Sequence, residues 1–394
     1  MRNDGQIALM TSGHQTIRSR GQISQRSATL LMCVFSLFFM GFVGTQAAAS
    51  DVFNVNNVTV DVKADTAAIA RTQALAEAER KAFYILIRRL TLTIDEERIP
   101  ELSPQEITAY VRDFSVAEEK TSSVRYIARL NYRFKPDEIR ALLRAYDVPF
   151  AETPSRSAVV IAVYEIGATT ELWGEPNPWR DSWATLDSRN GLVPIVVPLG
   201  DLTDISSISA SEAMAGDLIR LEAIATRYNA ASAIVAHNNI TLNPTTGGQL
   251  ATVTLIRPED PIPLEVKTVS YDQRPGEELI VFMDRVARST HQRIENLWIE
   301  QNLISQDEAG VVSITVPITG LKDWLAVKKQ LARVGIIRQT EVVLISRDQV
   351  RLNLFYVGGL QQLNTALEQN NLSILQEAGD WIVMPIGVFQ PPKI

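Results

Sequence analysis

One cysteine and three histidines in 394 residues leave little of the usual side-chain machinery of catalysis in this chain. Cys33 sits in an N-terminal apolar run, behind bulky Met32, and no cysteine follows residue 50. Disulfides, thiolate nucleophiles and cysteine-ligated metals are therefore excluded beyond that point. Only His237 and His291 lie past residue 50, about 50 residues apart, too few for a multi-histidine zinc site. G-x-x-x-x-G-K-[ST], H-E-x-x-H and G-x-S-x-G are all missing. The stretch Glu165-Ile166-Gly167-Ala168, where a dinucleotide loop would fall, holds a single glycine. Close backbone approach to a phosphate needs several, so neither a nicotinamide nor an ATP site is implied, and no cofactor is expected. Positive charge is also short: 38 Lys and Arg face 45 Asp and Glu, a net charge of −7. That balance argues against a broad nucleic-acid footprint.

Long apolar runs are limited to one. Residues 28–43 (ATLLMCVFSLFFMGFV) are continuously apolar, preceded by Arg2, Arg18, Arg20 and Arg26 and followed by Ala47-Ala48-Ala49. A basic segment, a short apolar segment and an Ala-x-Ala site form the pattern of a secretory signal peptide, residues 1–49, cleaved after Ala49. Sixteen residues fall short of the ~20 that span a bilayer, so an uncleaved inner-membrane anchor is the alternative. Either way the expected location of the rest is the periplasm, with no later membrane span. Removing four basic residues and one acidic residue from the totals leaves 34 against 44, a net charge of −10, which favours solubility and disfavours docking on anionic lipid.

What remains has an ordinary globular composition, 46% hydrophobic and 21% charged, and enough length for two or three domains. Residues 53–62 alternate as a strand with a slip at Asn56-Asn57. Ala67–Leu90 is rich in helix formers, with Ile69, Ala76, Phe83, Leu86 and Leu90 as its expected buried stripe. Ser103-Pro104-Gln105-Glu106 is a capping box that opens a helix through Phe114. Residues 123–134 alternate, with Tyr126, Leu130 and Phe134 on one side and Arg125, Arg129 and Arg133 on the other. A short helix follows to Tyr146, completing an α+β module over 51–148. Pro-containing, non-periodic residues 149–156 read as a linker.

Beyond it, Ala158–Tyr164, Leu192–Val197 and Ala233–Ala236 are apolar on both faces, as in a helix-covered parallel sheet. With an amphipathic helix over 211–228, an antiparallel hairpin over 250–270 and a helix over 276–301, residues 157–302 form a half-Rossmann α/β module. Residues 311–390 follow the order βαββαβ of a ferredoxin-like fold, with turns at Gly358-Gly359 and Gly379-Asp380. The fold class expected is thus mixed α/β and α+β in three small modules.

Candidate site residues cluster in the central module. Trp173, Trp179 and Trp183 fall within eleven residues, interleaved with Asn177, Pro178 and Arg180. Such a loop suits stacking on a glycan or anchoring a partner protein, or else it is a lid whose indoles pack inward. Asp201 and Asp204 could form an acid/base pair, although in the turn Gly-Asp-Leu-Thr-Asp they more often cap backbone amides. His237, just past an apolar run, is expected at a strand's carboxyl end, where open α/β sheets place ligands. His291 lies in a polar helix and reads as solvated. No residue is assigned a catalytic role and no metal ligand is expected.

The helix end Ile85-Leu86-Ile87-Arg88-Arg89-Leu90-Thr91, then Phe134-Lys135-Pro136-Asp137 and Ile139-Arg140-Ala141-Leu142-Leu143, resemble domain-of-unknown-function family 2066, exported proteobacterial proteins. Leu172-Trp173-Gly174, Asn177-Pro178-Trp179-Arg180, Trp183 and Leu192-Val193-Pro194 through Leu202 look like its alphaproteobacterial branch. The resemblance covers most of 51–240, and none of its motifs is catalytic. By element order the middle module is also similar to the N-terminal domain of TolB and to curli-secretion-type envelope proteins, an analogy of fold alone. These features together suggest a non-enzymatic periplasmic accessory protein that contacts an envelope protein. The alternative is an envelope hydrolase or glycan-binding protein using the tryptophan-rich crevice, and a small-ligand or lipid-binding module is a third expectation, conditional on an apolar pocket.

Overall fold

The computed structural model describes residues 51–188, 190–258, 264–304, 309–377 and 379–386. The expected signal segment, with Cys33, lies outside them. The molecule is a mixed α/β protein with three sheets. Among the described residues no helix is long and apolar enough to cross a membrane.

The first sheet has the order β1-β3-β2, all antiparallel: β1 (Asn54–Lys63), β2 (Val111–Thr121) and β3 (Arg125–Phe134). The slip at Asn56-Asn57 is a β-bulge between Val55 and Val58, with Asn57 at φ 59°. Helix α1 (Ala67–Leu90) packs on this sheet, capped by the Thr66 side chain. Its buried stripe is Ala70, Ala74, Ala78 and Ala82, continued by Phe83, Leu86 and Leu90, whereas Ile69 and Ala76 are exposed. The expected stripe is met at Phe83, Leu86 and Leu90 but is out of phase before them, because a backbone held close to a sheet favours the smallest side chains at the contact. The capping box at Ser103 and Glu106 starts α2 (Pro104–Tyr110), which ends four residues early and runs directly into β2. The next helix is α3 (Pro136–Ala145). On the open face, Arg125, Arg129 and Arg133 pair with Asp61, Glu118 and Asp113 of the flanking strands.

The second sheet has the order β5-β4-β7-β8-β9, with β6 also on β4. Its members are β4 (Ala158–Ile166), β5 (Thr169–Glu171), β6 (Ile195–Val196), β7 (Ser232–Leu242), β8 (Gln249–Arg257) and β9 (Leu264–Asp272). Strands β6, β4 and β7 are mutually parallel, the half-Rossmann portion, while β7, β8 and β9 form antiparallel pairs. One face of β4, with Val160, Ala162 and Tyr164, packs under α4 (Pro178–Thr185) and α8 (Leu279–Gln301). The other face, with Val159, Ile161 and Val163, is covered from the side of α5 (Leu202–Ser207), α6 (Ala210–Met214) and α7 (Leu218–Arg227). The single helix expected over 211–228 is two, because Gly216 takes φ 66° and Asp217 caps a fresh start.

The third sheet has the order β11-β12-β10-β14-β13, from β10 (Ala309–Pro317), β11 (Ile337–Ile345), β12 (Gln349–Val357), β13 (Leu372–Glu377) and β14 (Asp380–Pro385), with α9 (Leu321–Leu331) and α10 (Leu360–Gln369). The βαββαβ order is present with one addition. Strand β14 occupies the place beside β10 and runs parallel to it, and β13 is displaced to the edge.

The segment 149–156 is a buried strap. Phe150, Ala151, Glu152 and Thr153 are all interior. Backbone bonds tie it to Leu90, Leu192 and Ile304, and the Trp298 indole N–H donates to the Thr153 carbonyl at 2.7 Å. A single contiguous core runs from Phe83 and Tyr132 through Ala151 and Ile304 to Ile314 and Leu352. The first and last modules therefore share one interior.

Candidate functional site

The tryptophan segment folds as a short helix. Asn177, fully buried, caps α4 by accepting from the Arg180 N–H at 3.0 Å, while its amide donates to the Leu172 carbonyl at 3.2 Å. That cap turns Trp179 and Trp183 inward, 0% and 1% exposed, with their rings edge-to-face at 5.6 Å. The Trp179 indole N–H donates to the Ala236 carbonyl of β7 at 2.9 Å. Trp173, half-buried, donates to the Ile208 carbonyl. Arg180 reaches back to the Trp173 carbonyl and pairs with Glu175. The segment is an inward-packed lid of the sheet, and Trp179 and Trp183 offer no stacking face to a glycan.

Asp201 and Asp204 do structural work. Asp201 caps α5 through the Thr203 and Asp204 N–H groups and pairs with Arg227 at 2.5 Å. Asp204 is fully buried; it accepts from the Gly200 N–H at 3.0 Å and the Tyr228 hydroxyl at 2.6 Å, and its other oxygen lies 3.0 Å from Arg227 Nε. A carboxylate so held is a cap and ion-pair partner, and every hydrogen bond described here falls within the α5–α7 layer.

His237 lies in the middle of β7, not at its end, because the strand continues to Leu242 in a hairpin with β8. Its Nε2 is 2.7 Å from Glu165 Oε2, and Asn239 donates to the other Glu165 oxygen at 3.0 Å. Sequence reasoning missed Glu165. The signal was present: Glu165 and His237 are the first polar residues after two apolar runs, and pairing those runs in parallel register, Val163 with His237, sets them side by side. The pair can hold an imidazole in one orientation. The hydrogen bonds of His237 and of the two aspartates share no partner. Among the described residues no group of three or more His, Cys, Asp or Glu is placed to hold a metal ion.

Also missed was a buried charged cluster between modules. Glu295 of α8, 5% exposed, accepts the consecutive N–H groups of Leu192 and Val193 at 2.8 and 3.0 Å. Burial pushes its carboxyl up to about 7, opposed by those two bonds and by the Arg89 charge. Burial likewise pushes Arg89 down to about 10; its guanidinium donates to the backbone of Val52, Asn54 and Asn190. His291, one turn before Glu295, is half-buried rather than solvated, and burial lowers its pKa. A Cβ at Gly191 would meet the Glu295 carboxyl, so a larger residue there would displace that carboxylate from its two backbone bonds.

Large apolar side chains reach the surface in an unbroken row at the edge of the third sheet. Val342, Val343, Leu344 and Ile345 of β11 are 43 to 62% exposed, on a strand paired on one side only, by β12. A bulge between Val342 and Leu344 leaves Val343 out of that ladder. The edge of the first sheet is mixed: β2 exposes Phe114 and Val116 but also Glu118, Glu119 and Lys120.

No protein-family model matches the chain, and no curated protein matches it. Among solved structures, a lipoprotein of Neisseria meningitidis aligns with 36% of this chain and 98% of its own, at 16% identity and a TM-score of 0.23. Formyltetrahydrofolate deformylases of Burkholderia mallei and Pseudomonas putida align with 61% of this chain and 90% of theirs, at 12% identity and a TM-score of 0.16. At TM-scores this low the likenesses carry no argument.

Proposed function

We propose that the chain is an exported, non-catalytic accessory protein of the cell envelope, which docks an extended apolar segment of a partner protein along β11. The observation that carries the reading is the row Val342–Ile345, four large apolar side chains on an open sheet edge. Such an edge offers a ladder of backbone donors and acceptors together with apolar side chains, the two components of strand addition. Natural edges without a partner are blunted by charge, proline or a bulge; β11 has a bulge at Val343, but residues 342–345 carry neither charge nor proline, whereas β2 presents two glutamates and a lysine. Export rests on the sequence pattern of residues 1–49 and agrees with a chain free of cysteine beyond residue 50. The interior placement of Trp179 and Trp183 and the structural hydrogen bonds of Asp201 and Asp204 favour this reading over a hydrolase or glycan-binding crevice.

A photo-crosslinking residue in place of Val343 is expected to trap a distinct protein in cells, and the adduct should vanish when Leu344→Lys is added. The same probe at Ser115 on β2 should trap nothing. A cross-link between two copies of this chain, or an adduct indifferent to Leu344→Lys, overturns the assignment of the edge to a heterologous strand.

A further inference from the structure

At the end of the central sheet where the parallel strands begin, a cavity of about 310 Å³ opens between β4, β7, β8 and the last turns of α8. Its walls are apolar, chiefly Ala158, Ile234, Leu255, Ile294, Leu297 and the Trp298 ring. Ser155, Ser232 and Gln301 add neutral hydrogen-bonding groups, and among the described residues of its lining Arg257 is the charged one. The volume sits at the lower bound of the ~300–1,000 Å³ typical of small-molecule sites, too small for a lipid with two acyl chains. We propose that this cavity binds a small amphipathic anion, a medium-chain or single-ring monocarboxylate, with its apolar body against Leu255, Ile294 and Trp298 and its carboxylate toward Arg257.

Two features support that orientation. A guanidinium presents five N–H donors, so it can receive a ligand carboxylate alongside another acceptor. The chain as a whole is acidic, at −7, and does not attract free anions at long range. Binding must then draw on burial of an apolar body, and the Arg257 guanidinium selects which end of the ligand faces out. The site lies at the sheet end opposite to where open α/β sheets usually hold ligands. The edge of β11 takes no part in it, so failure of either reading leaves the other standing.

Titration of the full chain with sodium octanoate, followed by calorimetry and by tryptophan emission, tests the proposal. The expected result is a single site with a Kd below about 1 mM. Arg257→Gln should weaken it about tenfold, and Ser232→Trp, which fills the mouth from an exposed position, should abolish it. Octan-1-ol should bind parent and Arg257→Gln equally and less tightly than octanoate binds the parent. Absence of octanoate binding, or affinity unchanged in both variants, overturns the proposal.

Discussion

Glu295 and His291 are one helical turn apart, both largely withdrawn from water, and their protonation should affect stability in opposite directions. The raised Glu295 carboxyl keeps in the fold a proton that the unfolded chain releases near 4.5. Its contribution is therefore complete below 4.5 and lost as pH rises to about 7. The depressed His291 contributes fully above 6.5 and loses that contribution on acidification. Between those values the two slopes oppose one another. Glu295→Gln should leave a chain whose denaturant midpoint falls as pH drops below 6.5, and His291→Asn one whose midpoint falls as pH rises from 4.5 to 7. The Glu295 window is worth of order 3 kcal/mol, within reach of urea titrations across that range. Parallel pH profiles in the two variants would remove this account. At this scale the sequence was partly legible. Asp201 announces itself as a cap, because its partners lie two and three residues away. Glu295 and the Leu192 N–H are 103 residues apart, and no local pattern connects them.

At the scale of the element, legibility followed periodicity. Strand β3 alternates strictly and was readable, as was the bulge in β1. Strand β2 was hidden, since an exposed edge laden with charge has no apolar face to show. The parallel insertion of β14 was hidden too, because strand order depends on which edge is free and not on the strand's own residues. Helix α4 carried a readable cap at Asn177, yet proline and glycine around it disguised the segment as a loop. Its role predicts a large effect: Trp179→Ala removes a fully buried indole and its bond to β7, and should cost about 3–5 kcal/mol in unfolding free energy by chemical denaturation. A loss under about 1 kcal/mol would show that α4 is not holding the sheet.

At the scale of the molecule, the strap is the joint. Glu152, fully buried, receives Arg140 of α3 at 2.7 Å on both oxygens and Arg338 of β11 at 3.3 to 3.4 Å. One carboxylate thus joins the first module, the strap and the last. Glu152→Ala leaves two cations without their shared partner and should cost about 3–5 kcal/mol. Hydrogen exchange should show faster opening at α3 and β11 together; acceleration confined to one of them would refute a common joint. The interior shared by the two end modules has a temporal consequence. An exported chain crosses the membrane N-terminus first, so the first sheet must wait, with part of its apolar surface uncovered, until residues 309–357 have also crossed. For such a protein, the interval between emergence of the first sheet and arrival of the last is when holding chaperones on the far side of the membrane are needed most.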